Sequence, residues 1–130
     1  MTRLYLDSAP IIYHDERTVP FTVAMDAWLT APGVVLVSSE LARLECLVLP
    51  LRNGDTAREG EFDMFFNARM DDMVDFTGAV FRRAAEIRAS HGFKTPDALH
   101  LAAAVVGGCT VFLTNDAQLA RFPDLRVEVV

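Results

Sequence analysis

The chain has 130 residues, about one domain's worth, which excludes an enzyme with separate cofactor and substrate lobes. Hydrophobic residues make up 52% of it and charged residues 23%, enough for a buried core and too apolar for a disordered or tail-like protein. Eighteen acidic against twelve basic residues leave a net charge of −6, which argues against a non-specific duplex coater or a basic membrane-surface protein but not against a nucleic-acid enzyme whose carboxylates hold a divalent cation.

Leu4-Tyr5-Leu6 reads as a short strand stopped by Asp7-Ser8 and followed by an apolar helical turn around Ile11 and Ile12. Residues 20–30 read as a helix with Pro20 in its first turn, broken by Pro32-Gly33 before a strand Val34–Val37. Ser38 and Ser39 offer an N-cap for a helix to about Leu49, which Pro50 must end or kink. Asn53-Gly54 is a turn. Beyond it, Phe62, Met64, Phe65, Phe66 and Met70 predict an amphipathic helix with more apolar surface than a solvated helix needs.

Met73–Phe76 is a candidate third strand, and Gly78–Ser90 a helix with Arg82, Arg83, Glu86 and Arg88 on its polar side and His91-Gly92 as its stop. Thr95-Pro96-Asp97 opens a helix that is apolar almost all round from Ala98 to Val106, hence buried. Cys109–Leu113 is the clearest strand. Thr114-Asn115-Asp116, a short helix to Arg121, a Pro123-Asp124 turn and a strand Arg126–Val130 complete the chain. Strands alternating with helices predict an α/β sandwich with a mostly parallel sheet.

Cys46 and Cys109 fall in apolar segments and read as small core residues, with no disulfide framework or Cys/His zinc cluster, as suits a reducing compartment. The N-terminus has no signal-peptide h-region, and no stretch approaches the roughly 18 apolar residues of a membrane span. A soluble, cytoplasmic protein without a membrane partner is expected.

In open parallel sheets ligands bind beyond the carboxyl ends of the strands, and Asp7 and Asp116 each lie at such an end. Singly, either is equally a turn former or an N-cap. Glu45 has Leu41, Ala42, Val48 and Leu49 as its helical neighbours, so it sits on or beside the buried stripe and needs a partner: an Arg such as Arg43 or Arg52, or a metal. Asp97 lies in the first turn of its helix, where the helix dipole alone, about 0.3–1 kcal/mol, is sufficient reason for an acid. Four acids converging at one sheet end repel one another unless a cation intervenes, and a hard oxygen set without a Cys or His motif favours magnesium or manganese over zinc. His100, three residues after Asp97, reads as a helix-packed histidine; His14 and His91 read as surface residues. Ser8, Thr114 and Asn115 are placed either to orient a carboxylate or to serve turn chemistry.

The pieces LYLDSAPIIY, SSELARLECLV, TPDALHLAAA and VFLTNDAQLA, in this order over nearly the whole chain, resemble the PIN-domain family and, within it, the VapC-like toxins of toxin–antitoxin modules. The resemblance implies one PIN-like domain over residues 1–130, a three-layer α/β/α sandwich around a short, mostly parallel sheet. It places Asp7, Glu45, Asp97 and Asp116 on the family's acidic quartet, which binds magnesium or manganese and cleaves RNA. Glu45 is preferred to Glu40 by its place after the Ser-Ser pair. It further implies a homodimer and a small antitoxin partner, with residues 53–70 as the dimer- and antitoxin-binding arm, its Phe and Met residues forming the partner surface. Arg82, Arg83 and Arg88, with Arg52, Arg58 and Arg69, are the cations available for RNA phosphates. Two other functional classes compete. A non-catalytic PIN-like interaction module is opposed by the presence of all four acids. A phosphoryl-transfer domain is opposed by Ala9, where a dehalogenase wants a second Asp, and by Lys94 as the only lysine.

Overall fold

The computed structural model describes residues 1–130. Five strands, β1 (Thr2–Leu6), β2 (Val34–Ser39), β3 (Asp72–Val74), β4 (Val111–Thr114) and β5 (Arg126–Val129), form one sheet in the order β3-β2-β1-β4-β5. Every pairing is parallel. The three central strands read as near-continuous apolar runs because both their faces are covered. Their two-residue period sends Leu4, Leu6, Leu36, Val111 and Leu113 to one face and Tyr5, Val37 and Phe112 to the other.

The helices divide accordingly. On the first face lie α1 (Ser8–Glu16), α2 (Phe21–Thr30), α3 (Glu40–Asn53) and α4 (Thr56–Met64), the last running into a π-helical turn, Phe65–Arg69. On the second lie α5 (Gly78–His91) and α6 (Thr95–Val106). A 3₁₀ turn, Ala117–Arg121, links β4 to β5. The result is the three-layer α/β/α sandwich expected, and no helix is long and apolar enough to cross a membrane.

Several boundaries differ from the sequence reading for identifiable reasons. Pro50 does not end α3: it is buried in the last turn, and the helix stops only at Gly54, whose φ of 64° supplies the left-handed cap from which its N–H reaches Leu51 O. Pro20 stands before α2 rather than in its first turn. The third strand is Asp72–Val74, two residues short of Phe76, and Cys109 precedes β4 rather than opening it. His14 is partly buried beside Asp26 rather than a free surface residue, and burial pushes its pKa down despite that carboxylate.

Candidate active site

The chain leaves β1 for β2 and β3 on one side, then returns to the other side of β1 for β4 and β5, so the strand order reverses between β1 and β4. Such a reversal opens a crevice at the carboxyl ends of the two strands. Asp7 occupies it. Its backbone N–H donates to Leu113 O at 3.0 Å, its Oδ1 accepts from Ser8 N at 2.8 Å and caps α1, and its Oδ2 accepts from Thr114 Oγ1 at 2.8 Å. Only 9% of Asp7 is exposed. Thr114 Oγ1 also accepts the N–H of Asp116 at 3.1 Å, so one buried hydroxyl ties the ends of β1 and β4 together. Asp116 itself is exposed and caps the 3₁₀ turn through Gln118 N.

Glu45 projects toward the same crevice from the middle of α3, but its partner is neither Arg43 nor Arg52. Arg43 is held by Glu40 and Asp63. Glu45 Oε1 instead lies 2.5 Å from Nε2 of His100, whose Nε2 is also 3.5 Å from Asp7 Oδ1. The other ring nitrogen, Nδ1, is 2.8 Å from the Tyr5 hydroxyl, which in turn is 2.7 Å from Ser39 Oγ. His100 is therefore helix-packed, as its sequence context suggested, and also part of the site. Its position three residues after Asp97, one turn along the same helix face, was the available signal.

The electrostatics follow from this packing. Burial alone would drive the proton from His100, yet the Glu45 hydrogen bond and the charges of Asp7, Glu45 and Asp97 raise its pKa above the ordinary histidine value. Burial would likewise raise Glu45, and the hydrogen bond and charge of His100 outweigh it and hold the carboxyl low. Asp97, at the start of α6, is pushed up by burial and then by the negative charges of Asp7 and Asp116. One ligand atom each from Asp7, Glu45 and His100 lies within 4.8 Å of the others. Of the four predicted acids this group contains Asp7 and Glu45; Asp97 and Asp116 lie outside it, with Asp97 still raised by burial and by the charges of Asp7 and Asp116. The carboxylate oxygens offered are the hard donors that magnesium or manganese takes, so the residues present fit either ion. Asn115 does not touch this centre: it accepts from Tyr13 OH and donates to Val130 O.

The apolar arm is a correction. Phe62, Phe65 and Phe66 are 1%, 8% and 2% exposed and belong to the core beneath the sheet. Their spacing, i, i+3 and i+4, makes a single stripe that packs on its own domain, so counting Phe and Met along the segment overstated its free surface. What the segment leaves open is a cavity of about 530 Å³ between α1 and α4, floored by Ile11, Phe62 and Phe65 and edged by Met64, Asp15 and Arg69. Met64 stays 70% exposed at that edge, and further exposed apolar side chains lie elsewhere, notably Leu44, Val48 and Leu51 along α3. Of the expected phosphate-binding cations, Arg83 is paired with Asp124 and Arg58 with Asp15.

Residues 4–125 match the PIN domain family profile. No curated protein sequence matches the chain. Among solved structures the fold is similar to VapBC2 of Rickettsia felis bound to a DNA fragment from its promoter, at 14% identity and a TM-score of 0.79 over 98% of each chain. It is similar to a toxin–antitoxin complex from Klebsiella pneumoniae, at 18% identity and a TM-score of 0.76 over 97% of this chain and 96% of that one. It is also similar to the sarcin-ricin loop cleaving toxin VapC20 of Mycobacterium tuberculosis, at 15% identity and a TM-score of 0.74 over 96% of this chain and 98% of that one.

Proposed function

The chain belongs to the PIN-domain family, and from that premise we propose that it is a magnesium- or manganese-dependent endoribonuclease acting as the toxin of a toxin–antitoxin pair. The observation that carries this reading is the convergence of carboxylates at the strand-order reversal: Asp7 and Glu45 offer ligand atoms within 4.8 Å of one another, and Asp97 at the start of α6 is raised first by burial and then by the charges of Asp7 and Asp116. Carboxylates gathered so repel one another without a cation and form a ligand set with one. A non-catalytic module would leave that cluster without a reason. Magnesium or manganese held there supplies Lewis-acid polarisation of a phosphoryl group and activation of water at neutral pH.

The protein's own contribution is placement. Asp7 and Asp97 would be the direct ligands. The bonds from Ser8 N and Thr114 Oγ1 fix the plane of the Asp7 carboxylate and leave its remaining lone pairs for the ion. Glu45 and Asp116 complete the set, with His100 Nε2 holding Glu45 Oε1 and Tyr5 OH holding the imidazole in turn. RNA lies with its scissile phosphate over this cluster. The toxin role adds a small antitoxin and a homodimer. The toxin–antitoxin complex from Klebsiella pneumoniae and the apolar cavity beside the 53–70 arm support an amphipathic antitoxin helix as its occupant. The exposed Leu44, Val48 and Leu51 on α3 support a second copy. All of this suits a cytoplasmic protein.

The test is cleavage of RNA by the purified chain with magnesium or manganese, and its abolition by EDTA. Cleavage that persists in EDTA overturns the metal-dependent mechanism, and no cleavage with either ion overturns the nuclease reading.

A further inference from the structure

We propose that Arg88, Lys94 and Arg121 form a phosphate-binding ridge that seats the RNA strand beside the acidic centre, an inference that rests on the nuclease reading and gives it a substrate surface. A protein of net charge −6 with a carboxylate cluster at its site repels a polyanion, so binding requires local cations close to the reaction. Six of the twelve basic side chains are already spent on carboxylates: Arg3, Arg43, Arg58, Arg82, Arg83 and Arg126 each have one within 4.0 Å. Three of the others meet at a single loop, His91–Lys94, between α5 and α6.

These three are built in rather than scattered. Arg121 lies over the ring of Phe93 at 4.2 Å, and its Nη1 donates to His91 O at 2.9 Å. Arg88 Nε donates to Phe93 O at 2.9 Å. Both guanidinium groups are thus oriented by neutral carbonyls and an aromatic face, which fix their planes without cancelling their charge. Each retains further N–H donors in the fork geometry that matches phosphate oxygens. Lys94, Arg88 and Arg121 are all exposed.

Position completes the case. Lys94 is the N-cap of α6, three residues before Asp97, and Arg121 ends the 3₁₀ turn that Asp116 caps. At about 1.5 Å per residue of α-helix and 2.0 Å per residue of 3₁₀-helix, Lys94 lies about 5 Å along the axis from Asp97 and Arg121 about 10 Å from Asp116. The loop runs directly into the start of α6, which presents Asp97, and its Phe93 carries Arg121 from the turn that Asp116 caps, so one strand can rest on the ridge while its neighbouring phosphate reaches the site.

The experiment compares wild type, Lys94→Glu, the double variant Lys94→Gln/Arg121→Gln, and Arg126→Glu as a charge reversal at the opposite end of the sheet. Binding of a single-stranded RNA oligonucleotide is read by fluorescence anisotropy in EDTA over a salt series, and KM and kcat are read in magnesium. Lys94 makes no side-chain contact that folding depends on, so Lys94→Glu remains informative if removal of Arg121 loosens the loop. We expect Lys94→Glu and the double variant to weaken binding, or raise KM, about tenfold, with the salt slope reduced by about one per cation removed. kcat and the Arg126→Glu values stay near wild type. Unchanged KM and unchanged salt slope in both ridge variants overturn the ridge while leaving the nuclease reading intact. A wild-type chain that neither binds nor cleaves RNA overturns the nuclease reading itself.

Discussion

Nε2 of His100 and Oε1 of Glu45, 2.5 Å apart, join helices from opposite faces of the sheet. Glu45 is carried by α3 of the first layer and His100 by α6 of the second, so the pair is a strut across the carboxyl edge of β1. No other cation is paired with the four acids: Arg43, the nearest to Glu45 in sequence, is turned away to Glu40 and Asp63.

Removing the strut therefore costs stability before it costs chemistry. His100→Ala leaves Glu45 without its partner and a void beside Tyr5. Because Glu45 is only about half buried, the loss is about 2 kcal/mol rather than that of a fully buried pair. Urea unfolding in EDTA checks it. A variant as stable as wild type would show that the strut contributes nothing.

Asp97→Asn separates function from stability in the opposite sense. A carboxyl whose folded pKa is raised above its unfolded value costs stability as pH climbs through the unfolded pKa, and the full cost is present above the folded one. Asparagine removes that cost at neutral pH and, on the proposed mechanism, removes a metal ligand. RNA cleavage falls about 100-fold or more, while the melting temperature in EDTA holds or rises. A fall in melting temperature would mean that the carboxylate is needed for folding.

Thr114→Val tests the hydroxyl shared by the two strand ends. Valine keeps the shape and leaves Asp7 Oδ2 and the Asp116 N–H without a partner. Stability drops by about 1–2 kcal/mol, and manganese affinity measured by calorimetry drops about 10-fold or more. Unaltered metal affinity would exclude Thr114 from holding the site.

The four acids stand out in the sequence because each breaks a pattern: two end apolar strands, one opens an apolar helix, and Glu45 interrupts an apolar face; the structure brings Asp7 and Glu45 within ligand distance of each other. The layers were legible for the same reason, from alternation of strand and helix. The role of His100 was not, because its partner Glu45 is 55 residues away and an isolated histidine on an apolar helix carries no sign of what it faces. Nor was the fate of Phe62, Phe65 and Phe66. Composition counts apolar residues, whereas burial depends on the stripe they form and on the sheet face above it. Lys94 and Arg121 were equally hidden, since it is the packing of Arg121 on Phe93 that brings them together.

That burial sets up the last prediction, which concerns the partner. If an antitoxin helix fills the cavity between α1 and α4, the informative substitutions are at its edge, not its floor. Phe62 is 1% exposed, and Phe62→Ala costs about 3–5 kcal/mol of core packing, enough to unfold much of the protein whatever binds there. Met64 is 70% exposed on the same cavity, so Met64→Glu leaves the fold intact, as circular dichroism would verify, and places a charge where an apolar helix face must sit. Co-expression with the reading frame immediately upstream of this gene, followed by size-exclusion chromatography, then gives a complex for wild type and none, or one at least about tenfold weaker, for Met64→Glu. The acidic centre is untouched by this change, so metal-dependent RNA cleavage by the free chain continues. A Met64→Glu protein that forms the complex as well as wild type does would move the antitoxin off this cavity, and the exposed face of α3 would be the next surface to test.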